Sequence, residues 1–243
     1  MRFKLIVEYD GSDYHGWQIQ PNGPTIQQTL EAAVARFTGE TVRVAAAGRT
    51  DSGVHSAGQV VSFAVQVARA PEVVQRALNA LTPRDISITA VTAVADDFDP
   101  RRAARSRMYV YRIWNARWPS PFWRRYAWHV ARPLDTEAMR AAAIALMGEH
   151  DFSAFQAADC DADNPVRRVL RSELERREPL ITYTVEATAF LRHMVRNIVG
   201  TLVEVGSGER SADDLPGLLA SCDRTQAGPT APAAGLCLQR VSY

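Results

Sequence analysis

The order in which strand and helix patterns alternate along the chain restricts its fold more than any other feature of the sequence. Arg2 to Tyr9 alternates apolar and polar side chains as a strand does. A helix pattern follows from Ile26 to Gly39, and Thr25 and Gln28 form a capping box at its start. The same half then predicts strands at about 41–46 and 58–65, a helix from Pro71 to Leu81, and a strand from Ile86 to Val94.

The same order returns after a linker at about 95–106. The second half predicts a strand from Arg107 to Asn115, a helix from Asp135 to Met147 that Gly148 ends, strands at about 166–175 and 181–188, a helix at about 190–205, and a strand from Leu236 to Val241. The repeated order β-α-β-β-α-β predicts an α+β fold of two tandem ferredoxin-like halves, with mainly antiparallel sheets that meet at a central basic cleft. We therefore expect two α+β domains, 1–105 and 106–243.

A glycine-rich loop from Ala47 to Ser56 connects two of the predicted strands and carries a single carboxylate, Asp51. Gly48 and Gly53 allow backbone conformations and close approaches that a Cβ would prevent. Arg49 lies two residues before the carboxylate. A charged carboxylate on a tight loop is displayed rather than buried, which makes Asp51 a candidate for catalysis.

Two other interpretations of Asp51 stay open at this level. An Asp in a glycine-rich turn often hydrogen-bonds its own backbone and has no further role. A metal site, or a metal-dependent phosphoesterase, is the other interpretation, although neither zinc-type Cys and His spacing nor paired carboxylates accompany it. The candidate ligands would be Asp10, Asp13, His15, Asp51 and His55.

Cysteine content and the N-terminal sequence predict a cytoplasmic protein. Cys160, Cys222 and Cys237 are odd in number and far apart, which suits free thiols in a reducing compartment. The apolar run from Phe3 to Val7 is too short for a signal peptide or a membrane span. We therefore expect no membrane attachment.

Positive charge is concentrated in one segment, although the net charge of the chain is only +1. Between Arg101 and Arg132 there are nine arginines and neither Asp nor Glu. The aromatic residues of this segment are Tyr109, Tyr111, Trp114, Trp118, Phe122, Trp123, Tyr126 and Trp128. Arginine pairs with phosphate and stacks on flat rings, so the composition is typical of surfaces that bind looped or single-stranded nucleic acid. The alternative is that these aromatic side chains belong to the core.

Two elements of the second half carry further candidates. Along its first strand, Tyr109, Tyr111 and Ile113 are predicted to share one face. On its late helix, Arg192 and Arg196 are four residues apart and are expected on one face. An arginine beside a carboxylate would keep that acid ionised.

The chain contains a set of short motifs whose order and spacing chance does not explain. The motifs are Val7–Gly11, Gly16–Gln18, Ala47–His55, Gly58–Val61, Asp97–Arg101, Arg107–Tyr111, Asp151–Phe155 and His193–Gly200. Together they resemble the TruA family of tRNA pseudouridine synthases, over almost the whole chain.

The resemblance implies the isomerisation of uridine to pseudouridine in the anticodon stem-loop of tRNA, at positions 38, 39 and 40, with neither metal nor cofactor. Asp51 would be the essential aspartate, and the target uracil would stack on Tyr109. Arg49 would help to extrude the nucleotide, and Arg196 would pair with the aspartate. The sequence leaves open whether Asp51 attacks C1′, attacks C6 or removes the C2′ proton. The resemblance also implies a homodimer in which each tRNA contacts both subunits.

One segment departs from the family's pattern. Where the family has a basic residue and Thr before a Pro-x-Arg segment, this chain has Asp163 and Asn164. The change removes a cation from the expected RNA contacts there. It falls at the end of an acidic stretch, Asp159 to Asp163, that we expect to be a solvated insertion.

The rival function is a non-catalytic RNA-binding protein with two RRM-like units. It would leave the Asp51 loop without a role, and the strands show no aromatic pattern typical of that module.

Overall fold

A computed structural model describes residues 1–158, 160 and 164–243 of the chain. The features predicted at Asp159, Asp161, Ala162 and Asp163 lie outside the described residues. Contacts divide the chain into two compact units, Met1–Arg105 with Cys237–Tyr243 and Ser106–Leu236. The last strand is grouped with the first unit, and the division into domains 1–105 and 106–243 stays a prediction.

The described elements are mixed helix and strand throughout. In chain order they are β1 (Arg2–Tyr9), α1 (Ile26–Thr38), β2 (Ala45–Ala46), β3 (His55–Ala64), α2 (Pro71–Leu81), β4 (Ile86–Val94), β5 (Ser106–Trp114), β6 (Trp128–His129), α3 (Thr136–Ile144), β7 (Gly148–Asp151), β8 (Val166–Arg177), β9 (Leu180–Ala187), α4 (Met194–Gly206), α5 (Leu215–Ser221) and β10 (Leu236–Ser242). Most strand pairs are antiparallel, which confirms the predicted α+β class.

The sheet of the first unit has β1 at its centre. β1 pairs antiparallel with β3 on one side and with β4 on the other, and β2 adds to the far edge of β3. The resulting order, β4-β1-β3-β2, is that of a ferredoxin-like half. β10 pairs in parallel with the start of β3, at Cys237 and Leu238.

The two helices of the first unit begin and end close to where the sequence predicts. The Thr25 side chain accepts a hydrogen bond from the Gln28 N–H, and Gly39 ends α1 with a φ of 77°. Pro71 stands in the first turn of α2. Buried residues of β1 and α1, among them Leu5 and Leu30, share one apolar core.

The strand predicted at 41–46 is wrong in its extent, because β2 covers only Ala45 and Ala46. The residues before it satisfy their backbone through α1 instead of through the sheet. The Val44 N–H donates to the Glu31 carboxylate at 3.0 Å, and the Gln27 amide donates to the Val44 carbonyl at 3.2 Å. Helix side chains thus replace a strand partner there.

The second unit has the sheet order β5-β9-β8-β7, with every neighbouring pair antiparallel. β6 pairs in parallel with the end of β5. The first three strands of this order match their counterparts in the first unit, as the repeated sequence pattern predicts. β7 was not predicted, because Gly148–Asp151 has no strand-like alternation. α3 is correspondingly shorter than predicted and ends at Ile144.

The late helix of the second unit also begins later than predicted. α4 starts at Met194, and His193 precedes it in the left-handed conformation, with a φ of 62°. Arg192 therefore lies outside the helix, and the prediction that Arg192 and Arg196 share one helical face is wrong. The short helix α5 was not predicted either, because its Pro and Gly obscure the pattern.

Among the described residues, no helix combines the length and the apolar character that a membrane span requires.

Candidate active site

Backbone hydrogen bonds attach the loop around Asp51 to a second loop that follows β1. The Trp17 N–H donates to the Thr50 carbonyl at 3.0 Å, and the Gly53 N–H donates to the Tyr14 carbonyl at 3.3 Å. These bonds hold the chain on both sides of Asp51. The backbone from which its carboxylate projects is therefore fixed by a segment far away in sequence.

The two loops also approach so closely that only glycine fits at two positions. A Cβ at Gly11 would lie 2.0 Å from the Val54 carbonyl oxygen. A Cβ at Gly16, which has a φ of +83°, would lie 2.6 Å from the Thr50 carbonyl oxygen. Within the loop itself, the Val54 N–H donates to the Asp51 carbonyl at 3.1 Å and closes a turn. The close approach thus explains Gly11 and Gly16. At Gly48 no atom lies within 4 Å of an added Cβ, so the close approach expected there is not found.

A buried hydrogen bond between side chains also attaches the Asp51 loop to the end of β1. The hydroxyl groups of Tyr9 and Thr50 are 2.8 Å apart, and both side chains are buried. Burial raises the pKa of the Tyr9 phenol well above its ordinary range, so the hydroxyl stays protonated. On the other side of the loop, the Gln59 amide donates to the Gly48 carbonyl at 2.8 Å. The loop is therefore held by side chains as well as by its backbone.

His55 joins the end of the same loop to Asp10. Its Nδ1 atom lies 3.1 Å from an Asp10 carboxylate oxygen and 3.1 Å from the Gly11 N–H nitrogen. That nitrogen accepts from Gly11 when it is unprotonated and donates to Asp10 when it is protonated, so the tautomer decides which bond forms. The ring is 6% exposed. In either state it links the two loops.

The structure places the two candidates of the first unit, Arg49 and Asp51, on this one loop. Asp51 is half-buried and Arg49 is exposed. A half-buried carboxylate on a fixed backbone has a defined direction without being removed from solvent. The interpretation of Asp51 as a turn residue alone does not explain why so many distant groups hold this loop.

Tyr109 lies on β5 in the second unit, where it pairs with Val185 of β9. Its ring is 9% exposed and meets Phe190 edge to face, with ring centroids 5.0 Å apart. Tyr111 and Ile113, which the strand pattern places on the same face, are fully buried. Tyr109 is therefore held at the margin of an apolar layer, with its orientation fixed by Phe190.

Arg196 lies in the first turn of α4, and its guanidinium bonds a backbone carbonyl of the second unit. Its Nε atom donates to the Ala231 carbonyl at 2.7 Å, and the Ala231 N–H donates back to the Arg196 carbonyl at 3.1 Å. Arg196 also acts on Tyr111, whose pKa burial raises and the guanidinium lowers. The side chain thus has a set direction before any substrate is bound.

A buried polar network behind Arg196 was missed in the sequence. The side-chain oxygen Oδ1 of Asn197 accepts from the Thr230 hydroxyl at 2.6 Å and from the Arg224 guanidinium at 3.2 Å, and its side-chain Nδ2 donates to the Phe155 carbonyl at 2.8 Å. Asn197 is fully buried. The available signal was an amide in an otherwise apolar helix, since a buried Asn needs dedicated partners.

Close packing joins α4 to the segment that precedes β10. A Cβ at Gly200 would lie 1.6 Å from the Pro229 carbonyl oxygen, and the Gly228 N–H donates to the Thr201 hydroxyl at 2.9 Å. With the Asn197 network, these contacts fix the start of α4. They explain why the motif from His193 to Gly200 combines a cation, an amide and a glycine.

The candidate metal ligands do not assemble into a metal site in the part of the chain that the structure describes. No three His, Cys, Asp or Glu side chains there form a group that could hold a metal ion.

Known proteins match the chain along nearly all of its length. The profile of a family described as tRNA pseudouridine synthase matches residues 5–101 and 142–243. Proteins named tRNA pseudouridine synthase A from Myxococcus xanthus, Geotalea uraniireducens and Moorella thermoacetica are 50%, 46% and 46% identical. These matches cover 100%, 100% and 99% of this chain and 92%, 99% and 98% of the relatives.

A solved structure, described as the archaeal box H/ACA sRNP Nop10-Cbf5 complex, is also similar at 14% identity and a TM-score of 0.35. The match covers 83% of this chain and 53% of that one.

The family profile and the sequence matches to the three bacterial relatives identify an RNA-modifying isomerase. The chain belongs to the tRNA pseudouridine synthase family, and it is an enzyme that acts on uridine in tRNA. Family membership sets aside the non-catalytic RNA-binding alternative.

Proposed function

We propose that the protein converts uridine to pseudouridine in the anticodon stem-loop of tRNA, with Asp51 as the nucleophile or base. The reaction breaks the N1–C1′ bond and rejoins the uracil through C5, so no atoms are gained or lost. Neither a metal nor a cofactor is required by that balance. The attachment of the Asp51 loop to the loop after β1 is the observation that carries the proposal.

A carboxylate needs a fixed direction to attack a sugar or base carbon. The Trp17 N–H donates to the Thr50 carbonyl, and the Thr50 and Tyr9 hydroxyl groups share a hydrogen bond, so the residue directly before Asp51 is held at two points. Such pre-organisation lowers the cost of reaching the reacting geometry. It supports Asp51 as the group that touches the substrate, whichever of the three routes the reaction takes.

Tyr109 is proposed as the surface on which the extruded uracil stacks. A base inside a helical stack cannot turn over, so the nucleotide must leave the stack at a cost of a few kcal/mol. Stacking on an aromatic ring returns about 1–3 kcal/mol and leaves the base free to rotate. The edge contact with Phe190 supports this role, because it keeps the Tyr109 ring in one orientation.

We propose a separate role for each of the two arginines. Arg196 would pair with Asp51 and keep it ionised, since a desolvated carboxylate otherwise takes up a proton. Its bond to Ala231 supports the role by limiting the directions the guanidinium can take. Arg49, exposed two residues before Asp51, would fill the space the nucleotide leaves.

The remaining parts of the proposal concern assembly and location. We expect a homodimer in which each tRNA contacts both subunits, and a cytoplasmic enzyme. Sedimentation at several protein concentrations tests the first expectation directly. A monomer that retains full activity would contradict it.

The anticodon stem-loop is tested by tritium release from tRNA labelled at C5 of uridine. Transcripts that keep a uridine at only one of positions 38, 39 and 40 should each release tritium. A transcript with no uridine at those positions should release none. Equal release from both kinds of transcript would place the target elsewhere in the tRNA.

A further inference from the structure

An outward-facing aromatic surface lies in the second unit, in the segment between β5 and β6. Trp118 is 70% exposed, Phe122 is 85% exposed and Tyr126 is 39% exposed. Single exposed apolar side chains are ordinary on protein surfaces. Three large aromatic side chains exposed within one short segment are unusual. Exposed apolar groups of this kind are typical of surfaces that bind a partner.

The segment that carries these side chains is internally fixed. The Trp114 indole N–H donates to the Trp118 carbonyl at 3.0 Å, and the Trp114 and Trp123 rings stack with centroids 6.3 Å apart. The His129 ring bonds the Ala116 carbonyl at 2.9 Å. Trp114 and Trp123 therefore pack against each other within the segment, whereas the other three aromatic side chains are exposed to solvent. The exposure is a property of a folded segment.

Arginines accompany the aromatic side chains along this segment. The Arg117 guanidinium lies over the Trp118 ring, 5.1 Å from its centroid, and Arg124 is exposed beside Trp123 in sequence. No Asp or Glu occurs between Arg101 and Arg132. An aromatic ring with a guanidinium against it offers both a stacking face and a contact for phosphate.

We propose that this aromatic surface, formed by Trp118, Phe122 and Tyr126 with Arg117 and Arg124, docks unpaired nucleotides of the tRNA substrate. Exposed rings stack on bases, and the arginines contact the adjacent phosphates. The inference extends the proposed function, because it adds a second region of contact with the same tRNA outside the residues assigned to the chemistry.

Charge complementarity favours tRNA over a second copy of this chain. Two copies that met through this surface around a two-fold axis would bring arginines against arginines, because such an interface applies the same patch to itself. A polyanion meets the same surface without that repulsion.

The test uses full-length protein in which Trp118→Ser and Phe122→Ser are combined. The Kd for tRNA is measured with Asp51→Asn as the background, so that binding is recorded independently of turnover. We expect a rise in Kd of roughly tenfold to a hundredfold, from the lost stacking. In the active background, KM should rise more than kcat falls. Ile144→Ser is the matched control, since Ile144 is also apolar and exposed, at 61%, in the second unit.

A conservative pair, Trp118→Phe with Phe122→Tyr, should keep the Kd close to that of the unmodified surface. Arg117→Gln with Arg124→Gln should reduce the slope of log Kd against log salt by about 0.7 for each lost phosphate contact. This second measurement keeps the proposal testable if the double Ser variant fails to fold.

Three results would overturn the proposal. The first is an unchanged Kd in the double Ser variant, and the second is an equal rise in Ile144→Ser. The third is a lower mass in sedimentation, which would make the surface an interface between copies of the chain. A failure of Asp51→Asn to stop turnover would affect the proposed chemistry and leave these binding results intact.

Discussion

The hydroxyl groups of Tyr9 and Thr50 share a buried hydrogen bond of 2.8 Å, and Thr50 directly precedes Asp51. The bond joins the end of β1 to the loop that carries the proposed catalytic carboxylate. Because burial keeps the Tyr9 phenol protonated, the bond persists over the whole working pH range. The core of the first unit thereby helps to fix the backbone at Asp51.

Tyr9→Phe should therefore weaken both the fold and the reaction. Removal of the hydroxyl leaves the buried Thr50 hydroxyl without this partner, at a cost of about 1–3 kcal/mol in the free energy of unfolding. A small displacement of the loop should lower kcat by roughly tenfold or more. Urea denaturation measures the first effect, and tritium release measures the second.

Tyr183→Phe is the control for that substitution. Its buried hydroxyl lies 2.9 Å from the Ser172 hydroxyl in the second unit, so its removal also costs stability. We expect little change in kcat. Equal losses of kcat in the two variants would show that the Tyr9 bond has no particular effect on Asp51.

Gly16→Ala should be more harmful than Gly39→Ala, although both glycines have a positive φ. At Gly39, with a φ of +77°, no atom lies within 4 Å of an added Cβ, so the cost is backbone strain of about 1–2 kcal/mol. At Gly16 the Cβ also overlaps the Thr50 carbonyl, which adds roughly 1–3 kcal/mol. Only Gly16→Ala should lower kcat. Similar stability and activity in the two variants would contradict the close approach of the two loops.

Arg196→Lys should lower kcat by roughly a hundredfold, because lysine lacks the Nε donor to Ala231 and the planar fork that would face the carboxylate. Arg176→Lys is the matched control, since Arg176 is also half-buried and bonds a backbone carbonyl, that of Leu134 at 3.0 Å. Its kcat should stay near that of the unmodified enzyme. Equal activities in the two variants would remove Arg196 from the proposed chemistry.

The parts of the fold that the sequence predicted well are those with local signals. α1 has its own cap at Thr25 and its own end at Gly39, and β1 and β9 have clear alternation. β7 was missed because Gly148–Asp151 has no strand-like alternation, and β2 was predicted too long because its extent depends on contacts outside the strand itself. Val44, for example, looks like a strand residue until the Glu31 and Gln27 side chains take its backbone bonds.

The candidate site shows the same limit. The glycines around Asp51 indicated a tight loop, but the Tyr9–Thr50 bond joins residues 41 apart and no local pattern encodes it. Likewise, the spacing of Arg192 and Arg196 suggested one helical face. In the structure α4 begins at Met194, after His193 in the left-handed conformation, so Arg192 lies outside the helix. The sequence identified the candidate residues, whereas the hydrogen bonds that position them are visible only in the folded chain.

The most direct test of the account is tritium release by Asp51→Asn, with tRNA labelled at C5 of uridine and with binding measured in parallel. The substitution keeps the size of the side chain and removes its charge. The account predicts no release above background at any enzyme concentration, with the Kd for tRNA close to that of the unmodified protein. Release at a rate near that of the unmodified enzyme would contradict it.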